Sequence, residues 1–370
     1  MVDYSYWEVK EWFKNIDFTI VGSGIVGLNC AFYLRQKYPN AKILIIEKGV
    51  LPQGASTKNA GFACFGSLSE LIDDMKRHTE EEVFNLVKKR LKGLQLLKNN
   101  LGEKEIAYQR HKGYELFFKS ELFDECLDKK DKVNSLLQTL FKKPVFKIDK
   151  NIFNFKQIYK NYITNNYEGQ IDTGKMMAAL LKTVINSNIQ ILNATELIAY
   201  EENLNEVIVK TNRFEFISKK LLFATNGFSQ KLLDEEVKPA RAQVLIIKPI
   251  KDLSIKGTFH LDRGYYYFRN IDSRILLGGG RNLDFKSEET TVFAQTDLIQ
   301  NKLEAILNTI ILPDQKVEIE QRWNGIMGVG SKKKAIVKQI SNNVYCGIRL
   351  GGMGVAIGSI IGKDLAEMAY

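Results

Sequence analysis

The clearest signal for ligand binding in this chain is a Gly-x-Gly-x-x-Gly motif formed by Gly22, Gly24 and Gly27. They lie between an apolar run rich in β-forming residues, 17–21, and a stretch with apolar residues at helical spacing, 28–34. Gly22 permits a tight turn, Gly24 lets a pyrophosphate approach the backbone, and Gly27 lets helix and strand pack closely. The helix N-terminus then faces the phosphate charge. The pattern predicts a dinucleotide-binding strand–turn–helix unit.

A carboxylate in register with these glycines strengthens the prediction. The next apolar run, 42–46, ends at Glu47, about 20 residues beyond Gly27. An acid at that distance accepts hydrogen bonds from a ribose. The alternative interpretation is that the glycines only punctuate a buried βα unit, and the motif alone does not separate FAD from NAD.

Few other residues offer chemistry by their spacing. His260 lies in a β-rich stretch and is the best titratable candidate, since its pKa could be poised near neutrality; a structural histidine is the alternative. His78 and His111 are flanked by charged residues and are interpreted as surface groups. No zinc site, other metal site or disulfide framework is predicted, because no Cys-x-x-Cys occurs among the four distant cysteines, Cys30, Cys64, Cys126 and Cys346.

Composition narrows the class of protein. A chain of 370 residues, 45% hydrophobic, can bury a large core and is expected to form more than one domain. The net charge of +10 suits an anionic partner, but the lysines are scattered, so a solvated surface is favoured over a nucleic-acid interface. The N-terminal stretch contains Asp3, Glu8 and Lys10 among aromatic residues, and it lacks the basic region followed by an apolar region that marks a secretory signal. A cytoplasmic location is therefore expected. Residues 18–34 are uncharged but hold three glycines, so no membrane span is predicted.

Other segments must position these residues. A loop rich in small and polar residues, 51–66, follows Glu47 and could wrap a cofactor. A strand group ends in Ala224-Thr225-Asn226-Gly227, a turn at a strand's carboxyl end, where ligands bind in open α/β sheets. A separate β-rich region follows, a glycine-rich run opens the last helix, and Asp172 or Thr173 is expected to cap a helix over 175–186. Further strands are expected over 106–119, 145–149, 258–260, 265–270 and 274–280, with helices over 5–13, 69–101 and 120–141.

With these residues in place, the chain resembles the D-amino acid oxidase/glycine oxidase-like family of FAD-dependent oxidoreductases over nearly its whole length. Five landmarks carry the resemblance in the family's order: Gly22 to Gly27 with Glu47, the loop 54–61, the turn 224–227, the run 266–279 followed by Trp323-Asn324-Gly325, and the terminal Gly351-Gly352-Met353-Gly354.

The resemblance implies an α/β fold with two domains. A Rossmann-type FAD-binding domain would be assembled from the separated segments 1–75, 145–238 and 325–370. An α+β substrate domain built on an antiparallel sheet would comprise 76–144 and 239–324. That sheet would cover the flavin.

The resemblance also implies the cofactor and its contacts. FAD would bind non-covalently, because no cysteine follows the Trp323 motif where flavinylated relatives carry one. Glu47 would hold the adenosine ribose, Leu197 would offer main-chain contacts to adenine or simply pack in the core, and residues 352–355 would stabilise the reduced ring. The implied cofactor set is Gly22, Gly24, Ile25, Val26, Gly27, Glu47, Lys48, Ser56, Asn59, Ala60, Gly61, Leu197, Ala224, Thr225, Gly227, Gly351, Gly352, Met353, Gly354 and Val355.

On the substrate side, the chain departs from the glycine oxidase pattern. Met327 stands where that pattern has a carboxylate-binding arginine, and a thioether forms no bidentate salt bridge. Tyr266 and Arg349 match substrate-side positions of the family, although Arg349 could equally be structural. With His260, they are the catalytic candidates. The runs 268–280 and 322–328 look closer to the γ-glutamylputrescine oxidase-like branch, which oxidises amines lacking an α-carboxylate.

The expected function is therefore FAD-dependent oxidation of an amine or amino acid, by hydride transfer from the carbon beside nitrogen to flavin N5. An FAD-dependent 2-hydroxy acid dehydrogenase and a flavin-dependent tRNA-modification oxidase are the alternatives, and an FAD-binding protein without catalysis is a fourth. The electron acceptor, O2 or a dye or quinone, is left open.

Overall fold

A computed structural model of the chain describes residues 4–369. Within that range, a βα unit follows a short first helix, runs of consecutive strands then lie between helices, and a helix ends the fold. The strands are β1 (Ile16–Val21), β2 (Ile43–Ile46), β3 (Phe62–Ala63), β4 (Gly113–Leu116), β5 (Phe146–Lys150), β6 (Asn161–Asn165), β7 (Gly169–Gln170), β8 (Gln190–Leu192), β9 (Leu197–Glu202), β10 (Val207–Thr211), β11 (Glu215–Phe223), β12 (Lys238–Ile247), β13 (Thr258–Leu261), β14 (Tyr266–Ile271), β15 (Arg274–Gly279), β16 (Ile319–Val329), β17 (Ile336–Gln339) and β18 (Val344–Ile348).

Local sequence explains where the helices begin. Asp172 accepts a hydrogen bond from Lys175 N–H at 2.9 Å, which confirms the predicted cap. Thr79 and Glu82 form a capping box ahead of the longest helix. The helices are α1 (Tyr6–Glu8), α2 (Ile25–Lys37), α3 (Ala55–Lys58), α4 (Leu68–Met75), α5 (Glu80–Leu101), α6 (Ser120–Leu137), α7 (Thr173–Asn186), α8 (Asp297–Ile306) and α9 (Gly354–Met368), with π-helical turns at Val9–Phe13 and Leu307–Ile311 and 3-10 turns at Asn226–Lys231 and Arg281–Leu283.

The first sheet has a parallel centre in the order β18-β11-β1-β2-β8. The apolar residues of these strands are buried on both faces, because helices α2, α7 and α9 cover one face and the antiparallel β9–β10 layer extends from β11 on the other. The carboxyl ends of β1, β2 and β11 meet at one edge. Gly22, Glu47 and Ala224 follow those three strands, so the topology brings them together there.

The second sheet has the order β16-β12-β15-β14-β13-β4-β6-β5. It is antiparallel except for one pair, β13 with β4, which is parallel. One face packs on α8 and on an aromatic core in which Phe259 and Phe268 stack with ring centroids 4.4 Å apart. The other face turns toward the ligand edge of the first sheet.

Sheet membership differs from the predicted division at two segments. Strand β6 pairs with β4 and β5 pairs with β6, so both lie in the second sheet, although the predicted boundaries put residues 145–238 with the first. Residues 325–329, predicted with the FAD-binding segments, form the end of β16 in the second sheet. The strand expected over 106–119 is also shorter and spans only Gly113–Leu116. Long-range pairing decides these features, and the local pattern carries no signal for it. Within residues 4–369, no helix combines the length and apolar character needed to cross a membrane.

Candidate functional site

Neighbouring backbone atoms pack closely against the turn from β1 to α2. Gly22 has φ +103°, and a Cβ there would lie 2.9 Å from the Ala224 carbonyl oxygen, so the site favours glycine. A Cβ on Gly27 would lie 1.9 Å from the Gly22 carbonyl oxygen, which is the close helix–strand packing expected from the motif. Gly24 stands at the N-cap of α2 and has no side chain that could accept a hydrogen bond there. Ser56 Oγ instead accepts one from Ile25 N–H at 2.9 Å.

Glu47 is fixed at the end of β2. One carboxylate oxygen accepts hydrogen bonds from Ser23 N–H at 3.0 Å and the Ser23 hydroxyl at 2.8 Å, and the other accepts one from Gly49 N–H at 3.0 Å. The side chain is buried, so this negative charge is held by donors and keeps one orientation. It is thus preorganised to accept further hydrogen bonds from a ligand.

The loop after α3 is held from several directions. Asn59 Oδ1 accepts hydrogen bonds from Gly61 N–H and from the Thr173 hydroxyl, both at 2.9 Å. Arg269 donates from Nε to the Ala60 carbonyl, and burial lowers the pKa of this guanidinium to about 10. Arg269, which the sequence did not single out, therefore positions the loop.

The N-terminus of α9 faces the same space. Its first turn carries no acidic residue, and Met353 at the cap position offers no side-chain hydrogen bond, so its N–H groups can stabilise negative charge. The preceding loop is tied down by Leu350 N–H, which donates to Asn226 Oδ1 at 3.1 Å, and by Gly351 N–H, which donates to the Gly328 carbonyl at 2.9 Å.

A cavity of about 760 Å³ joins these features between the two sheets. All the predicted site residues line it except Gly27, Gly227 and Tyr266. Gly27 packs as described, and Gly227 packs against β16, where a Cβ would lie 2.3 Å from the Met327 carbonyl oxygen. The predicted positions on the wall are Gly22, Gly24, Ile25, Val26, Glu47, Lys48, Ser56, Asn59, Ala60, Gly61, Leu197, Ala224, Thr225, His260, Arg349, Gly351, Gly352, Met353, Gly354 and Val355.

Tyr266 is the site prediction that the structure corrects. Its side chain is buried in the aromatic core behind the second sheet, where its ring meets Phe118 edge-on with centroids 6.3 Å apart. Because strand side chains alternate between faces, its neighbours Tyr265 and Tyr267 line the cavity instead. Burial raises the pKa of Tyr267 to about 12, so its hydroxyl stays protonated and available as a donor.

His260 lies on the cavity wall in a buried ion pair. Its Nε2 is 2.9 Å from Glu168 Oε2, and Glu168 also accepts a hydrogen bond from the Thr258 hydroxyl. Burial alone lowers the pKa of the imidazole, but the Glu168 carboxylate, with Glu70 and Glu115 nearby, outweighs it and raises the pKa to about 9. His260 is therefore protonated at neutral pH, and the expectation of a pKa poised near neutrality was wrong.

Arg349 lines the cavity, but other groups already hold its guanidinium. Nη1 donates to the Glu236 carbonyl at 2.9 Å and to its carboxylate at 3.0 Å, while Nε and Nη2 both donate to the Lys334 carbonyl. These contacts tie the segment before β12 to the loop before β17. They favour the structural interpretation of Arg349.

The sequence model described as "FAD dependent oxidoreductase" matches residues 17–368. The chain belongs to that family. It is similar to a probable oxidoreductase, OrdL, of Haemophilus influenzae, with 20% identity over 96% of this chain and 83% of that protein. Two solved structures with a similar fold are L-proline dehydrogenase from P. horikoshii (17% identity, 96% and 93% coverage, TM-score 0.74) and glycine oxidase from Geobacillus kaustophilus (15% identity, 96% and 95% coverage, TM-score 0.75).

The cavity of this flavoprotein fits FAD, the cofactor of its family. The volume is within the range of about 300–1,000 Å³ for small-molecule sites, and the cavity extends from Glu47 on the first sheet to the start of α9. Glu47 would hold the ribose, the start of α2 the pyrophosphate, and the first N–H groups of α9 the electron-accepting end of the ring.

Sequence reasoning missed several residues of the wall. The alternation along β14 was a usable signal for Tyr265 and Tyr267, and Arg281, two residues after the end of β15, directly follows the run 268–280 quoted for the resemblance. Three others lie in the loop 51–66, which was expected to wrap a cofactor: Lys58, Phe62 and Cys64. Others come from segments with no motif, so only the fold brings them together: Glu70, Arg90, Arg263, Lys332 and Lys333.

Proposed function

We propose that this flavoenzyme oxidises an amine or amino acid by removing a hydride from the carbon next to nitrogen. One observation carries the proposal: a single cavity runs from the dinucleotide edge of the first sheet to the aromatic and polar face of the second sheet. When bound, FAD accepts two electrons as a hydride. The names of the solved neighbours, L-proline dehydrogenase and glycine oxidase, support amines and amino acids as the substrate class.

The chain's own residues would position and desolvate the substrate. Tyr267, on the second sheet, offers a protonated hydroxyl. Phe62 packs edge-on against Tyr267 and His260, with ring centroids 5.6 and 5.3 Å apart, and would help to exclude water from this wall. Since oxidation needs a neutral amine with its C–H correctly aimed, orientation by these side chains matters more than a strong base.

His260 would act as the protonated member of a buried ion pair. Its proton is held by Glu168, so it would not remove a proton from the substrate ammonium near neutral pH.

Anaerobic mixing tests the proposal. The purified holoenzyme is expected to lose its oxidised flavin absorbance with at least one member of a panel of amines and amino acids. Bleaching by 2-hydroxy acids alone would replace the proposal with the hydroxy acid dehydrogenase, and no bleaching by any member would contradict oxidoreduction of these classes. Oxygen consumption compared with dye reduction then identifies the electron acceptor.

A further inference from the structure

Arg281 lies at the same end of the second sheet as Met327. Strand β15 ends at Gly279, opposite Gln243 of β12, and β12 pairs Ala240 with Met327 on its other side. The chain leaving β15 turns at Gly280 and continues with Arg281 on the cavity wall. A cation thus stands on the far side of one intervening strand, β12, from the position where glycine oxidase-like sequences carry their arginine.

The guanidinium of Arg281 is not committed to another protein group. It stacks on Phe285, 4.8 Å from the ring centroid, and within residues 4–369 it donates no hydrogen bond and forms no ion pair. Its side chain is half-buried, and this burial lowers the pKa of the group. A partly desolvated cation with free donors is stabilised by an anion that enters the cavity.

The other buried or half-buried arginines of the wall already have partners. Arg90 is almost completely buried and donates from Nη1 to the Phe65 carbonyl at 2.7 Å, although its Nε has no partner. Arg263 pairs with Glu125 at 3.1 Å, and Arg349 is held as described above. Arg77 is exposed. Arg281 is therefore the arginine of this set that is both partly buried and available for bidentate recognition.

The segment that carries Arg281 is anchored to the second sheet. Glu288 is buried and accepts a bidentate ion pair from Arg241 at 2.8 and 2.6 Å, and Gln243 donates to it at 3.0 Å. Arg241 N–H also donates to the Glu288 carbonyl at 2.8 Å. Fixed support of this kind holds a binding residue in place.

We propose that Arg281 binds a carboxylate of the substrate and so replaces the arginine that is missing at Met327. The substrate is then an amine that carries a carboxylate, and simple alkylamines are poor substrates. This inference rests on the proposed function and names the substrate class of the same cavity.

Matched pairs of amines test it. The holoenzyme is mixed anaerobically with proline and pyrrolidine, and with N-methylglycine and dimethylamine. In the native protein the acid of each pair should bind more tightly. Arg281→Gln should raise the KM of the acids about 10- to 100-fold and leave the amines unchanged, since it removes a charged, bidentate hydrogen bond. Arg281→Lys should recover part of the loss, because it keeps the charge without the fork.

Arg110→Gln is the matched control. Arg110 also stacks on an aromatic ring, that of Tyr167 at 5.2 Å, but it is exposed and does not line the cavity. This substitution should leave every KM unchanged. A general effect of losing a stacked arginine would appear in both variants.

Two further readouts separate the possible failures. Benzoate, a carboxylate that is not an amine, should perturb the flavin spectrum of the native holoenzyme. Arg281→Gln should weaken benzoate binding by a factor similar to the rise in KM of the acids. This readout tests the inference even when none of the four amines reduces the flavin. Equal KM values within each pair together with unchanged benzoate binding in Arg281→Gln would overturn the carboxylate role and leave amine oxidation standing. Loss of FAD from Arg281→Gln and Arg281→Lys, but not from Arg110→Gln, would assign Arg281 to the cofactor and also overturn it.

Discussion

His260 illustrates how a neighbouring charge decides the role of one residue. From the sequence it was a base candidate, because an unperturbed histidine titrates near neutrality. In the fold it is buried 2.9 Å from Glu168, and the carboxylate keeps it protonated. No sequence signal pairs residues 260 and 168, since β13 and the loop before β7 meet only through the second sheet.

The raised pKa predicts a pH dependence of stability. Because the folded-state pKa of about 9 exceeds the unfolded value of about 6.5, the ion pair contributes fully below about pH 6.5 and is lost as the pH rises through about 9. The free energy of unfolding of the native protein, minus that of His260→Gln, should therefore shrink between about pH 6.5 and 9. Urea unfolding at several pH values measures it, and a difference that stays constant would contradict the protonated pair.

Tyr266 and Tyr267 show the limit of matching a motif residue by residue. The resemblance selected Tyr266, whereas strand alternation alone left open which side of β14 faces the ligand. The answer depends on which face of the second sheet packs on α8, and that is a property of the whole sheet. Glu47 was easier to place, because its strand and the glycine turn are adjacent in sequence and in space.

At the scale of elements, the segment between β15 and α8 is held by a buried ion pair. Arg241 and Glu288 are both almost completely buried, and Gln243 and Thr296 complete the network. Breaking such a pair leaves one buried charge without its partner. The segment contributes Arg281 and Thr291 to the cavity wall, so this network supports the site as well as the fold.

Substitution of this pair has an expected cost. Glu288→Gln should lower the free energy of unfolding by about 3–5 kcal/mol, because Arg241 would remain buried without a counter-charge. Glu318→Gln is the matched control, since its partner Lys248 lies at 2.5 Å but both side chains are exposed. The control should leave the melting temperature unchanged. Equal effects of the two substitutions in calorimetry would show that the segment is not anchored through Glu288.

Elements with local signals were predicted well. The β1–α2–β2 unit, the cap of α7 and the final helix follow from glycine spacing, capping residues and apolar periodicity. The strand predicted over 145–149 is observed as β5. Strands β4 and β6 were harder, because β4 pairs with β6 and β13, which are distant in sequence, and the parallel β13–β4 pair has no connecting βαβ pattern. The predicted domain boundaries remain a prediction, with β5 and β6 in the second sheet.

At the scale of the molecule, one cavity between two sheets accounts for the separated landmarks. The first sheet supplies the dinucleotide edge, the second supplies Tyr267, His260 and Arg281, and α9 closes the space between them. The net charge of +10 gave little guidance, because charge counts do not locate a site. The cavity depends on how the two sheets face each other, which the sequence could predict only through the family resemblance.

The central claim is tested most directly by measuring how much FAD the protein binds and whether unfolding releases it. Purified protein, freed of flavin and titrated with FAD, should bind one molecule per chain, and unfolding should release all of it, since no covalent attachment is predicted. FAD retained on the denatured chain would contradict non-covalent binding. Folded protein that takes up no FAD would contradict the assignment of the cavity itself.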